Sequence, residues 1–167
     1  MATKHNVVRE GISVGLIGAL SIAVWFAILD AIQGELLATP IMLGTSLGSL
    51  LLQGEAPSTA AAFLGYTVFH FALFMAIGIA FSYAVNTAER VPSAIFGFGI
   101  LFVAFEVGWL GWTMVLAEGF GDLTWLQVFI ANLIASVAMG TYMWRQHPSL
   151  PRRAGEDMAG ASAEGRI

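Results

Sequence analysis

Four apolar runs, each long enough to cross a bilayer, take up most of this 167-residue chain, at about residues 11–33, 60–85, 93–117 and 123–144. A helical crossing needs about 20 apolar residues, so four crossings and their connections leave no room for a soluble catalytic domain. The cations sort around these runs in three groups. Lys4 and Arg9 precede the first run, Arg90 lies between the second and third, and Arg145, Arg152, Arg153 and Arg166 follow the fourth. The other two connections hold acids only, Glu35 and Glu55 in one and Glu118 and Asp122 in the other. Because Lys- and Arg-rich segments stay on the cytoplasmic side, the alternation predicts four spans with both termini inside.

The expected fold is therefore an all-α membrane protein, an antiparallel four-transmembrane-helix bundle over residues 1–147, followed by a polar cytoplasmic tail at 148–167. Composition agrees: 57% of residues are hydrophobic and 11% charged, more apolar surface than a soluble domain of this size can bury. The chain has no Cys, which removes disulfides, thiolate metal sites and iron–sulfur ligation. The first run is too long for a cleaved signal peptide and lacks its small-residue cleavage site. A formal net charge of −4 gives no reason to expect nucleic-acid binding. Pro92 marks the entry of the third run, and Asp122 and Thr124 are placed to cap the fourth.

One outer connection carries its own apolar segment, residues 40–52. Thr39 as N-cap with Pro40 at the first helical position predicts a helix start there. About a dozen residues are too few to cross, so a short interfacial or re-entrant helix is expected. Small residues recur at four-residue spacing within the spans: Gly11, Gly15 and Ala19 in the first; Gly65, Ala72, Ala76 and Ala80 in the second; Asn132, Ser136 and Gly140 in the fourth. Such stripes let helix backbones approach closely.

At about 1.5 Å rise per residue, Ser21, His70, Glu106 and Asn132 fall near one level, an intramembrane polar layer. An ionisable group at that depth is expensive and is a functional-site hypothesis by default. Three readings of the layer stay open. Glu106 is neutral or hydrogen-bonded to His70 or Asn132 as interhelical glue; or it alternates between charged and neutral as a coupling carboxylate; or His70 binds the metal of a haem, a chlorophyll-type pigment or an ion. Asp30 lies near the outer end of the first span, at a depth where a carboxylate reaches water. Trp25, Trp109 and Tyr66 occupy the outward half and are candidates to line a cavity. No phosphate loop, His-Glu-x-x-His or Gly-x-Ser-x-Gly motif is present, so no catalytic residue is assigned.

The stretch Trp25-Phe-Ala-Ile-Leu-Asp30, then Gly34, Thr39-Pro40 and Leu43-Gly44, then Tyr66-Thr-Val-Phe-His70, resembles small uncharacterised bacterial four-span integral membrane proteins over the first half of the chain. The resemblance implies a four-span fold in a bacterial cytoplasmic membrane and no activity. It groups Asp30, Pro40 and His70 in one pattern. The functional expectation is a non-enzymatic accessory or scaffolding subunit of a larger inner-membrane complex, photosynthetic or respiratory in class. Its partners would be the lipid bilayer with bound lipids, and other membrane subunits or further copies of itself. The alternatives are a small homo-oligomeric proton-coupled transporter using Glu106, and a pigment- or haem-binding protein using His70.

Overall fold

The computed structural model describes residues 6–88 and 125–147, which form four helices: α1 Val7–Gln33, α2 Ala38–Leu51, α3 Thr59–Ala88 and α4 Trp125–Gln146. Among the described residues there is no strand. Three of the helices, α1, α3 and α4, are long and apolar enough to cross a membrane. The first, second and fourth predicted runs thus appear as helices, each within a few residues of its expected bounds. The expected third span at 93–117 and the tail at 148–167 lie outside the described residues.

Local chemistry sets the helix ends. The Asn6 side chain accepts the Arg9 N–H at 3.3 Å and caps α1. At the other end Gly34 turns left-handed (φ 80°), and the Gly34 and Glu35 N–H groups donate back to Ala31 and Asp30. That pair of bonds is the Schellman arrangement, which a glycine reaches without a Cβ clash. Ser58 caps α3 through the Ala61 N–H.

The start of α2 departs from the sequence expectation. Leu37, not Thr39, is the residue before the helix, at φ 69° and with no side-chain cap of its own. Thr39 and Pro40 are already inside the first turn. The missing cap comes from α1: both Asp30 carboxylate oxygens accept from Thr39, Oδ2 from its N–H at 2.9 Å and Oδ1 from its hydroxyl at 2.6 Å. A carboxylate at a helix N-terminus is also favoured by the helix dipole.

Among the described helices α1 is central. It runs antiparallel to α3, with Gly11 against Ile79 and Gly15 against Phe74 and Met75. Gly78 closes the crossing from the other side; a Cβ there would stand 2.2 Å from the Gly11 carbonyl oxygen. Lipid tails give no hydrophobic drive between helices, so this backbone-to-backbone approach is how association energy is gained. On its other flank α1 packs antiparallel to α4: Val14 meets Met139 and Met143, and Ile22 meets Ala131 and Ala135. Helices α3 and α4 therefore point the same way. Helix α2 lies on the first turns of α3, with Gly44 against Ala62.

The small-residue stripes divide accordingly. Gly11, Gly15 and Ala19 form the α1 contact line as expected. On α3 the expected stripe of Gly65, Ala72, Ala76 and Ala80 is exposed instead, and the packed residues are Ala62, Gly78, Ser82 and Val85. On α4 the buried line is Ala131, Ala135, Met139 and Met143, one position round from Asn132, Ser136 and Gly140, which are half-buried. The reason is that α3 is apolar on every side. Which face packs is decided by where the partner's glycines sit, and residue size along α3 alone does not carry that information.

Candidate functional site

Buried polar groups gather at the two ends of α1. At its first turn Glu10 is 7% exposed and joins three helices. Its Oε1 accepts from His147 Nε2 at 2.8 Å, just beyond α4, where the ring is 2% exposed. Its Oε2 accepts from the fully buried Ser82 hydroxyl of α3 at 2.8 Å, and from Asn86 Nδ2 at 3.4 Å. A carboxylate taken out of water is tolerated when its lone pairs are met in this way. The order of the three groups matters for chemistry. The acid stands between Ser82 and His147, so the imidazole is not placed to take the serine proton as it would be in a nucleophilic triad. The cluster is a tie between helices.

Sequence reasoning passed over this cluster. Glu10 sits beside Arg9 and reads as part of a charged flank, while His147 lies three residues past the expected end of the last span, at the edge of the polar tail. The available signal was helical phase: Glu10 falls on the same line as Val14 and Gly18, one turn before the glycines that pack.

At the other end, α1 and α3 diverge from their glycine crossing and leave a cavity of about 320 Å³ between them, roofed by the start of α2. His70 forms its floor, 8% exposed, with Nε2–H donating to the Ala19 carbonyl at 3.2 Å. That bond fixes the ring across the helix pair, and Tyr66 and Phe74 pack on it with ring centroids 5.7 and 4.8 Å away. Asp30, Thr39 and Pro40 form the roof, and Phe26 of α1 and Phe63 and Phe71 of α3 the apolar walls. Asp30 is 3% exposed, so the water contact expected for it does not occur; Thr39 takes the place of water.

The expected polar layer is not joined among the described residues. Ser21 donates to the Ile17 carbonyl of its own helix at 2.8 Å. Asn132 is half-buried, with no hydrogen-bond partner among the described residues. Glu106 and Trp109 lie outside them. Trp25 is a clasp and not a cavity wall: its indole N–H donates to the Gln127 carbonyl of α4 at 3.1 Å. Tyr66 does line the cavity. As for a metal, no group of three or more His, Asp or Glu side chains comes together among the described residues. Axial ligation of a macrocycle through His70 Nε2 would require breaking its bond to Ala19.

A scan against family models and comparisons with curated proteins and with solved structures returned no match to this chain.

Proposed function

We propose that the chain crosses a bacterial inner membrane four times, with both termini cytoplasmic, and serves there as a non-enzymatic packing subunit of a larger assembly. The four-span topology is supported by the parallel course of α3 and α4. The chain leaves α3 at the Glu10 end of α1 and enters α4 at the Trp25 end, two opposite ends of the described bundle. The apolar run at 93–117 in the sequence has the length of one crossing.

The observation that carries the subunit reading is the division of labour among the side chains. Glu10, Ser82, His147, Asp30, Thr39 and His70 each bond another element of the fold. Meanwhile one side of α3 is left exposed by the other described helices, with Gly65, Ala72, Ala76 and Ala80 interleaved with exposed Val68, Phe69 and Leu73. Small residues flanked by large apolar ones form the surface on which membrane helices associate.

The test is native mass spectrometry of the protein released from its own membrane in a mild detergent. The expected spectrum shows the chain bound to other membrane subunits, and Ala72→Phe with Ala76→Phe removes them while the protein stays folded. A spectrum of bare monomer, unchanged by the substitutions, would overturn the proposal.

A further inference from the structure

Polar side chains at the edges of the α1–α3 cavity spend their hydrogen bonds on the protein. Asp30 accepts from the Thr39 N–H and hydroxyl, His70 donates to the Ala19 carbonyl, and the Thr67 hydroxyl donates to the Phe63 carbonyl. What the cavity presents to a guest is almost wholly apolar. Its walls are built from Ile22, Phe26 and Ala27 on α1 and from Phe63, Tyr66 and Phe71 on α3.

Size and surface together select what can fill it. An apolar cavity of about 150 Å³ stays dry and takes up benzene, and this one has about 320 Å³. A buried water needs about two to four polar partners, which such walls do not offer. Left empty, the space forfeits the dispersion contacts of its lining, and hydrocarbon is the guest that restores them. Between the levels of Ile22 and Asp30 the walls run about 12 Å along α1. At about 30 Å³ for a group of water or methylene size, the space holds about ten such groups. A space of that length and volume is a slot for one extended chain. Ala23, Val24 and Leu37, which also line it, are exposed, so the slot reaches the apolar surface of helices long enough to cross a membrane.

We infer that this slot holds one acyl chain of a membrane phospholipid, inserted from the side between α1 and α3 and packed against Phe26, Phe63 and Phe71. Recognition is of the chain alone. The polar groups nearest the slot already have protein partners, so the headgroup stays outside and makes no contribution to selection.

The experiment uses the full chain purified in digitonin, a steroid-based detergent with no alkyl chain to compete. Dipalmitoyl and dihexanoyl forms of phosphatidylglycerol and phosphatidylcholine are titrated into the micelles. Binding is read as the shift in thermal unfolding midpoint and as lipid retained per protein. The dipalmitoyl lipids bind saturably, at least tenfold more tightly than the dihexanoyl forms, and the two headgroups agree within about threefold. Ala27→Phe fills the slot and weakens dipalmitoyl binding at least tenfold, and Ala27→Leu, a milder filling, weakens it less. Ala76→Phe adds the same bulk on the exposed side of α3 and leaves binding as in the wild type. Absence of saturable binding, the result if another part of the chain or another protein occupies the slot, overturns the inference. So does a tenfold preference for one headgroup, equal binding of the short-chain lipids, or binding by both Ala27 variants as tight as that of the wild type.

Discussion

Glu10 and His147 stand 137 positions apart in the chain, yet Oε1 of one lies 2.8 Å from Nε2 of the other, with both side chains almost fully removed from solvent. The contact binds the first turn of α1 to the end of α4, and Ser82 on the same carboxylate brings in α3. Removing one partner of a buried, hydrogen-bonded pair strands the other, which costs about 3–5 kcal/mol where the charge is left uncompensated. Glu10→Ala and His147→Ala are each expected to destabilise the protein by about 2–4 kcal/mol, with the double variant well short of their sum. Unfolding in detergent over the four-member cycle measures this, and strict additivity would show that the pair is not coupled.

The two glycines of α3 are expected to behave in opposite ways. A methyl group at Gly78 would meet the Gly11 backbone at 2.2 Å, whereas one at Gly65 would meet nothing within 4 Å. Backbone cannot move aside as a side chain can, so Gly78→Ala separates α1 from α3 at a cost of about 1–3 kcal/mol. Gly65→Ala is neutral or stabilising by up to about 1 kcal/mol, through helix propensity alone. Parallel melts of the two single variants decide it; equal effects would mean that the glycine crossing is not where the helices meet.

Asp30 holds the start of α2 from outside the helix, and its removal has a local signature. With Asp30→Ala, the Thr39 N–H and hydroxyl lose their acceptor, a change comparable with loss of an N-cap, about 0.5–2 kcal/mol. Hydrogen exchange at the first amides of α2 accelerates by at least tenfold, while amides in the middle of α4 are unaffected. Thr39→Val keeps the N–H bond and gives an intermediate rate. Uniform acceleration along every helix would show instead that Asp30 supports the whole bundle.

Leu37 carries left-handed backbone at φ 69°, a conformation costing a side-chain-bearing residue about 1–2 kcal/mol. Glycine adopts it freely but loses more conformational freedom on folding. The balance predicts that Leu37→Gly stabilises the protein by about 0.5 kcal/mol, read as a raised unfolding midpoint.

The parts of this protein legible from its sequence are those governed by lipid. Helix lengths, the number of described long helices and the short helix in the first long connection follow from apolar run length, because the bilayer's thickness fixes how many residues must be apolar. Facing is a different problem. Ala72 and Gly78 are both small residues on apolar stretches of α3, and the position of Gly11 and Gly15 on another helix is what selects between their faces. Among the site candidates, His70, Tyr66 and Asp30 do meet around one cavity, since each is a polar group in an apolar run with nowhere else to be satisfied. Ser21 was misleading for a physical reason: a serine hydroxyl can return to the carbonyl four residues back, so its presence at mid-depth requires no partner on another helix.

Attachment of three helices to one carboxylate also bears on how the protein is made. Helices α1 and α3 are synthesised early and can pair through their glycines at once, and Ser82 then reaches Glu10. The imidazole of His147 arrives only when α4 has been threaded. Until then Glu10 sits at the end of an apolar helix without that partner, so an incomplete chain carries a mark that the finished one has hidden.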